Sequence, residues 1–220
     1  MNERLDKKEQ LKSAPDSLAY HYDQAYKENP AMFGGGKPEL FVLEASEMIP
    51  AGGTVIELGA GQGRNALALA EKGFKVTALD ISKVGVDSMN SKAQGSGLTN
   101  FNAEVRDSRD GITGDFDMLV STFMFHHFPR EDAEKLISTI KEHTKKGGIN
   151  ALVTFTVEGD FARSPNAQGR FYPALGEMRE LYKDWEIISY REEPSEAKQM
   201  KPDGGSMINI KAEIIARKTV

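Results

Sequence analysis

Thr54-Val55-Ile56-Glu57-Leu58 runs directly into Gly59-Ala60-Gly61-Gln62-Gly63. A short apolar, β-branched run of this kind reads as a buried strand, and three alternating glycines after it read as a tight turn at the strand's carboxyl end. Arg64 to Lys72 continues as a helix with Gly73 at its C′ position, and Phe74 to Leu79 is the next strand, closed by Asp80. Strand, glycine turn, helix, strand is the βαβ unit of a parallel sheet.

The same alternation extends outward in both directions. Upstream, Glu39 to Met48 reads as a helix that ends before Pro50 and Gly52-Gly53. Downstream, Ser82 is an N-cap for a helix to about Gln94, followed by strands at Phe101 to Val105 and Asp117 to Ser121. Pro129 to Lys145 reads as a helix with Ala133, Leu136, Ile137 and Ile140 on one face and Lys145-Lys146-Gly147 as its stop signal. Ile149 to Val157 is a fifth strand. After the polar stretch from Glu158 to Pro173 come a short helix, about Leu175 to Tyr182, and two strands, Trp185 to Arg191 and Ile208 to Arg217. No helix separates that last pair, so it reads as an antiparallel hairpin over the loop 194–206. The expected fold is α/β: a doubly wound, mostly parallel, seven-stranded sheet with a C-terminal antiparallel hairpin.

Residues 1–38 differ in character. Residues 1–13 are nearly all charged or polar, whereas Tyr20, Tyr22, Tyr26 and Phe33 form an aromatic approach to Gly34-Gly35-Gly36. We read a mobile arm and a flexible joint, with 14–36 acting as a lid over a domain spanning 39–220. Gly36-Lys37 is not a phosphate-binding loop, because Ala31 and Pro38 stand where that pattern needs Gly and Ser or Thr.

The chain has 220 residues, the size of one ordinary domain. At 39% hydrophobic and 28% charged, with no run of even fifteen apolar residues, it reads as neither disordered nor membrane-spanning. A net charge of −5, with Lys and Arg scattered among acids, excludes the basic footprint of a nucleic-acid binder and favours a small-molecule partner. Cysteine is absent, which removes disulfides, thiolate metal sites and Cys nucleophiles. The charged opening from Met1 to Lys12 lacks the apolar stretch of a secretory signal, so the expected location is cytoplasmic.

Ligands of such sheets bind beyond the carboxyl ends of the strands, where the strand order reverses, and the glycine turn marks that place. Its spacing, Gly59-x-Gly61-x-Gly63, puts Arg64 where the dinucleotide fingerprint needs a third small residue. Glu57 lies in a buried strand, where a carboxylate needs a partner, and it suits a ligand ammonium. Asp80 follows Gly59 by 21 residues, where an acid accepts ribose hydroxyls. An acid for an amine, loop N–H groups for a carboxylate and an acid for a ribose describe an amino acid joined to a nucleoside, as in S-adenosylmethionine.

With these residues in place, the sequence resembles the class I S-adenosylmethionine-dependent methyltransferases. Val55 to Gly63 looks like their first motif, Ala78-Leu79-Asp80 like their second, and the likeness covers roughly 40–218. Gly63-Arg64-Asn65, Leu119-Val120-Ser121-Thr122, Phe171-Tyr172-Pro173, Leu181-Tyr182 and Trp185 look most like the tellurite-resistance methyltransferase family. The resemblance implies cofactor contacts from Glu57, Gly59, Ala60, Gly61, Arg64, Asn65, Asp80, Ile81, Asp107, Ser108, Ser121 and Phe123. Asp107 would meet the adenine amino group; its plain alternative is a loop acid in a turn. Ser121-Thr122-Phe123-Met124-Phe125 lacks the Asp/Asn-Pro-Pro-Tyr/Phe signature, which counts against DNA-base or glutamine methylation.

Methyl transfer from a sulfonium rests on alignment and water exclusion, and needs a base only when the nucleophile carries a proton. His126-His127 is open to three readings: a general base, packing at the cofactor's edge, or a metal pair. No i,i+4 histidine partner supports the metal, so none is expected. Tyr22, with the other arm aromatics, is the candidate cap, and Arg163 and Arg170 are candidates to attract an anion. The expected activity is methylation of a small thiol, chalcogen oxyanion or hydroxyl. The alternatives are a nicotinamide-dependent oxidoreductase and a non-catalytic S-adenosylmethionine-binding module, and the oligomeric state is left open.

Overall fold

The computed structural model describes residues 17–29, 36–200 and 205–219. Among them, helices α1 (Leu18–Glu28) and α2 (Leu40–Ser46) precede strand β1 (Thr54–Leu58). Then come α3 (Arg64–Glu71), β2 (Lys75–Asp80), α4 (Lys83–Gly95), β3 (Phe101–Val105) and β4 (Phe116–Thr122). The chain ends with α5 (Arg130–Glu142), β5 (Thr144–Phe155), α6 (Glu177–Leu181), β6 (Glu186–Met200) and β7 (Ser206–Arg217).

The seven strands form one sheet in the order β3-β2-β1-β4-β5-β7-β6. β1 to β5 pair in parallel, and β7 runs antiparallel to both β5 and β6. From β1 the chain builds outward to β3, then crosses to β4 on β1's other side, so the order reverses between β1 and β4. That reversal opens a crevice at their carboxyl ends. One core layer packs under α2, α3 and α4 and includes Val42, Leu69, Val86, Val55 and Val120. The other lies under α5 and α6, with Leu136, Ile137, Ile140 and Tyr182 against Leu58, Leu119 and Leu152. The apolar stripe read for the 129–145 helix is buried as expected, with Leu136, Ile137 and Ile140 each contributing about 1.5–3 kcal/mol.

Most boundaries shift by a few residues from expectation, and two shift further. α5 stops at Glu142, and Lys145-Lys146-Gly147, read as its stop signal, already belongs to β5. Thr144 pairs across to Phe116, and an irregularity between Phe116 and Met118 lets β5 resume register at Ile149. The hairpin is longer than its loop chemistry indicates: residues 194–196 continue the ladder, with Pro194 opposite Ile210. Pro194 is tolerated because β6 is the outermost strand, where a proline need not donate to a neighbour. Within the arm, residues 18–28 form a helix capped by Ser17 Oγ, which accepts from the Tyr20 N–H at 3.1 Å. Residues 1–13, Phe33, Gly34 and Gly35 lie outside the described residues.

Candidate active site at the carboxyl ends of β1 and β4

The glycine loop is tied to β2 by its backbone: the Gly59 and Ala60 N–H groups both donate to the Leu79 carbonyl, at 2.8 and 3.0 Å. Asp80, 6% exposed, accepts from the Gly61 N–H at 2.7 Å and the Ser82 N–H at 2.8 Å. Burial pushes its carboxyl up, with nearby Asp23 adding to the rise against those two hydrogen bonds. The Ile81 backbone N–H lowers it as well, and a carboxylate's roughly four lone-pair directions still leave room for a ligand hydroxyl. Ile81 beside it is half-buried.

Glu57 is buried at 1% exposure. Its Oε1 accepts from Asn65 Nδ2 at 2.7 Å, while Oε2 has no partner among the described residues. Burial raises its carboxyl to about 7, against the hydrogen bond from Asn65, the charge of Arg64 and the Ala66 backbone N–H. Asn65, fully buried at the start of α3, also donates to Thr122 Oγ1 at 3.3 Å and accepts from the Glu39 N–H at 2.8 Å. Arg64 pairs with Glu39 at 2.7 Å. Asn65 therefore joins the ends of β1 and β4 to the segment entering α2.

The adenine-side candidates are engaged locally. The Asp107 carboxylate accepts from the Arg109 N–H, Nε and guanidinium nitrogen at 3.0, 3.0 and 2.7 Å, which suits the turn reading as well as a ligand role. Ser108 Oγ lies 3.5 Å from Met124 Sδ. Ser121, 0% exposed, has an Oγ with no partner among the described residues. Phe123 takes φ 56°, a left-handed conformation costing on the order of 1–3 kcal/mol for such a residue. Its N–H donates to the Val153 carbonyl at 2.8 Å, and its ring lies 4.8 Å from that of Phe155.

α1 lies across this crevice. Asp23 Oδ1 accepts from Ser82 Oγ at 2.5 Å and the Val84 N–H at 3.1 Å, at the start of α4. The Tyr26 ring occupies space that only glycine leaves: a Cβ on Gly61 would stand 2.8 Å from its hydroxyl, and one on Gly85 would stand 3.2 Å from its ring. Tyr22 reaches the other wall, its hydroxyl 2.8 Å from His127 Nε2. His127 lies 4.1 Å from His126, ring to ring, and His126 lies 5.2 Å from Phe155 and 6.0 Å from Tyr172. Phe155 in turn meets Phe161 edge-on at 5.1 Å. Burial holds both imidazoles neutral, His127 down at about 4 and His126 well below its ordinary range. The Nδ1 atoms of both are buried, with no partner among the described residues. No cluster of three metal-ligating side chains occurs among the described residues.

Arg163 and Arg170 separate in the structure. Arg163 lies between Glu158 and Asp160, at 3.8 and 3.9 Å. Arg170 makes no ion pair among the described residues, and its charge acts on Tyr22, His126, His127 and Tyr172. It borders an open recess of about 370 Å³ with Arg130, Val157, Ala162, Ala167, Gly169 and Tyr172, a wall with no carboxylate.

Sequence reasoning missed Asp23, Phe155 and Asn209. Asn209, 1% exposed in β7, accepts from the Phe161 N–H at 2.9 Å and leaves Nδ2 unpartnered. A polar residue in an otherwise alternating apolar strand, Ile208-Asn209-Ile210, was the signal available for it.

A sequence model of the family described as tellurite resistance protein TehB matches residues 37–215. The Haemophilus influenzae protein described as a probable S-adenosyl-L-methionine-dependent methyltransferase TehB is 32% identical over 164 residues, 74% of this chain and 57% of that protein. The chain thus spans just over half the length of that relative. The crystal structure of TehB from Haemophilus influenzae matches with a TM-score of 0.74 at 28% identity, over 90% of this chain and 67% of that one. A 2-heptyl-1-hydroxyquinolin-4(1H)-one methyltransferase of Mycobacteroides abscessus is 27% identical over 155 residues, covering 69% of this chain and 67% of its own. Among the described residues, no helix is long and apolar enough to cross a membrane.

Proposed function

This chain belongs to the family described as tellurite resistance protein TehB, and on that footing we propose that it is an S-adenosylmethionine-dependent methyltransferase acting on a small, anionic acceptor in the cytoplasm. The observation that carries the cofactor is Glu57 Oε2, a buried carboxylate oxygen at the end of β1 with no partner among the described residues. Such an atom is costly unless a ligand donor meets it, and an α-ammonium is that donor. Asp80 takes the ribose, Ile81 packs beside it, and Asp107 and Ser108 serve the adenine end. Gly59, Ala60, Gly61, Arg64, Asn65, Ser121 and Phe123 shape the remainder. When bound, the cofactor supplies a methyl group on a positive sulfur.

The protein's own work is alignment and exclusion of water. α1 covers the crevice, and Tyr22, Tyr26, His126, Phe155 and Tyr172 give it apolar walls that strengthen local electrostatics. We assign residues 1–38 the role of a cover and 39–220 that of the catalytic domain. Arg170, without an ion pair among the described residues and beside a recess lined by no acid, attracts a negatively charged acceptor, while the net charge of −5 speaks against the far larger polyanion of nucleic acid.

Titration with S-adenosylhomocysteine, followed by a methyl-transfer screen over tellurite, selenite, small thiols and phenols, tests this reading. Binding with methylation of an anionic acceptor is expected. Binding without product in any acceptor class would leave a non-catalytic binder, and preference for NAD would leave the oxidoreductase.

A further inference from the structure

His126-His127 sits where a base would sit, yet its surroundings are those of a hydrogen-bond donor. The Tyr22 hydroxyl and His127 Nε2 are 2.8 Å apart, with the rings edge-on at 5.5 Å. Burial raises the Tyr22 hydroxyl to about 12, so at neutral pH it keeps its proton. Phenol is a stronger acid than neutral imidazole and imidazole nitrogen is the better acceptor, so the bond runs O–H to N. His127 Nε2 is thereby used as an acceptor, which leaves the ring's single proton on Nδ1. That Nδ1 is buried and has no partner among the described residues.

We infer that Tyr22 of the N-terminal helix is a positioning residue that locks His127 as its Nδ1–H tautomer, making His127 a hydrogen-bond donor to the methyl acceptor and removing it as a general base. The inference rests on the methyltransferase reading and sharpens it. A locked donor cannot take a proton, so the acceptor must arrive with its lone pair free: a thiolate, a phenolate or an oxyanion, not a neutral alcohol or amide. The groups facing His127 agree with that requirement. Arg170 and His21 lie on the electropositive side, His126 is neutral, and no carboxylate acts on the ring to stabilise an imidazolium. The wall that receives the acceptor is also complete only while α1 is docked, because its tautomer is set from that helix.

Full-length protein labelled with 15N-histidine tests this without any methylation. Its four histidines give separable ring signals. From pH 5.5 to 8.5 the His127 signal should show a protonated Nδ1 and a bare Nε2, and Tyr22→Phe should convert it to a mixture of tautomers. A protonated Nε2 in the wild type overturns the inference. The turnover arm uses tellurite as acceptor. Tyr22→Phe should lower kcat roughly tenfold, with S-adenosylhomocysteine affinity within about twofold of wild type. His127→Asn keeps an N–H near the Nδ1 position but has no basic nitrogen. It should retain much more kcat than His127→Leu, whose loss should reach roughly a hundredfold. Equal loss in the two variants means a base and overturns the donor role. Failure of the wild type to bind S-adenosylhomocysteine would instead sink the cofactor reading and leave the tautomer result standing, so the two failures are distinguishable.

Discussion

The two ends of the sheet treat their buried polar groups in opposite ways. At the amino ends of β1 and β4, Asp117 Oδ2 accepts from the Thr54 N–H, Thr54 Oγ1 and Lys145 Nζ at 2.7, 2.8 and 2.9 Å. Lys145 also donates to Thr54 Oγ1 at 3.1 Å, and Asn150 links Thr144 and Tyr182. At the carboxyl ends, Glu57 Oε2, Ser121 Oγ, His126 Nδ1, His127 Nδ1 and Thr154 Oγ1 are buried and have no partner among the described residues. β1, β4 and β5 carry members of both sets, with His126 and His127 in the turn after β4, so the difference is not one of fold. One end is satisfied by the chain itself and holds the sheet together. The other leaves donors and acceptors that nothing among the described residues meets.

Substitutions at the two ends should therefore diverge, most of all at Glu57. Its raised carboxyl means the native state holds a proton that the unfolded chain releases, so stability falls as pH rises from about 4.5 to 7 and is level above. Glu57→Gln keeps an oxygen for Asn65 and removes that loss. It should stabilise the ligand-free protein by about 3 kcal/mol at pH 8 and weaken S-adenosylhomocysteine roughly ten- to a hundredfold, read by thermal melts and calorimetry. A destabilised Glu57→Gln would mean that the ligand end is as self-contained as the other.

Asp117→Ala should do the reverse. Burial alone would raise this carboxyl, but Lys145 and the Thr54 donors hold it below its ordinary range. Loss of about 2 kcal/mol in denaturant unfolding is expected, with ligand affinity within about twofold. Next in size is an acid effect at the ligand end. His126 and His127 are depressed in the native state, so their contribution is present above about 6.5 and is lost as pH falls toward 4. His127→Asn should flatten the wild-type loss of stability across that window, and an unchanged pH profile would contradict their burial as neutral rings. The smallest effect is expected at Asp23. Removing its hydrogen bonds to Ser82 and Val84 should speed amide exchange in α1 while leaving exchange in β1 and β4 unaltered. Uniform protection in Asp23→Ala would show α1 held by Tyr26 and Tyr22 alone.

What was legible in the sequence follows from the same division. The parallel strands and their helices announce themselves by short apolar runs, N-caps and terminal glycines, which are local signals. Glu57 and Asp80 were legible because an acid inside or at the end of an apolar strand is conspicuous. Asp23 was not, since an acid on a short helix looks like any solvated charge until α4 is seen to start beside it. Arg163 and Arg170 look alike in sequence, and only folding brings Glu158 and Asp160 to one and leaves the other unpaired. The hairpin's length was hidden by Pro194, whose cost depends on an edge position that no local pattern encodes.

The most direct test is calorimetric titration of S-adenosylhomocysteine and of NAD into the protein at pH 6.5, repeated in buffers of different ionisation heat. An ammonium meeting Glu57 must drive off the proton that burial keeps there. S-adenosylhomocysteine should therefore bind with release of up to about one proton, absent in Glu57→Gln, while NAD gives no comparable heat. Tighter binding of NAD, or S-adenosylhomocysteine binding with the same proton balance in Glu57→Gln, would contradict the assignment of this crevice.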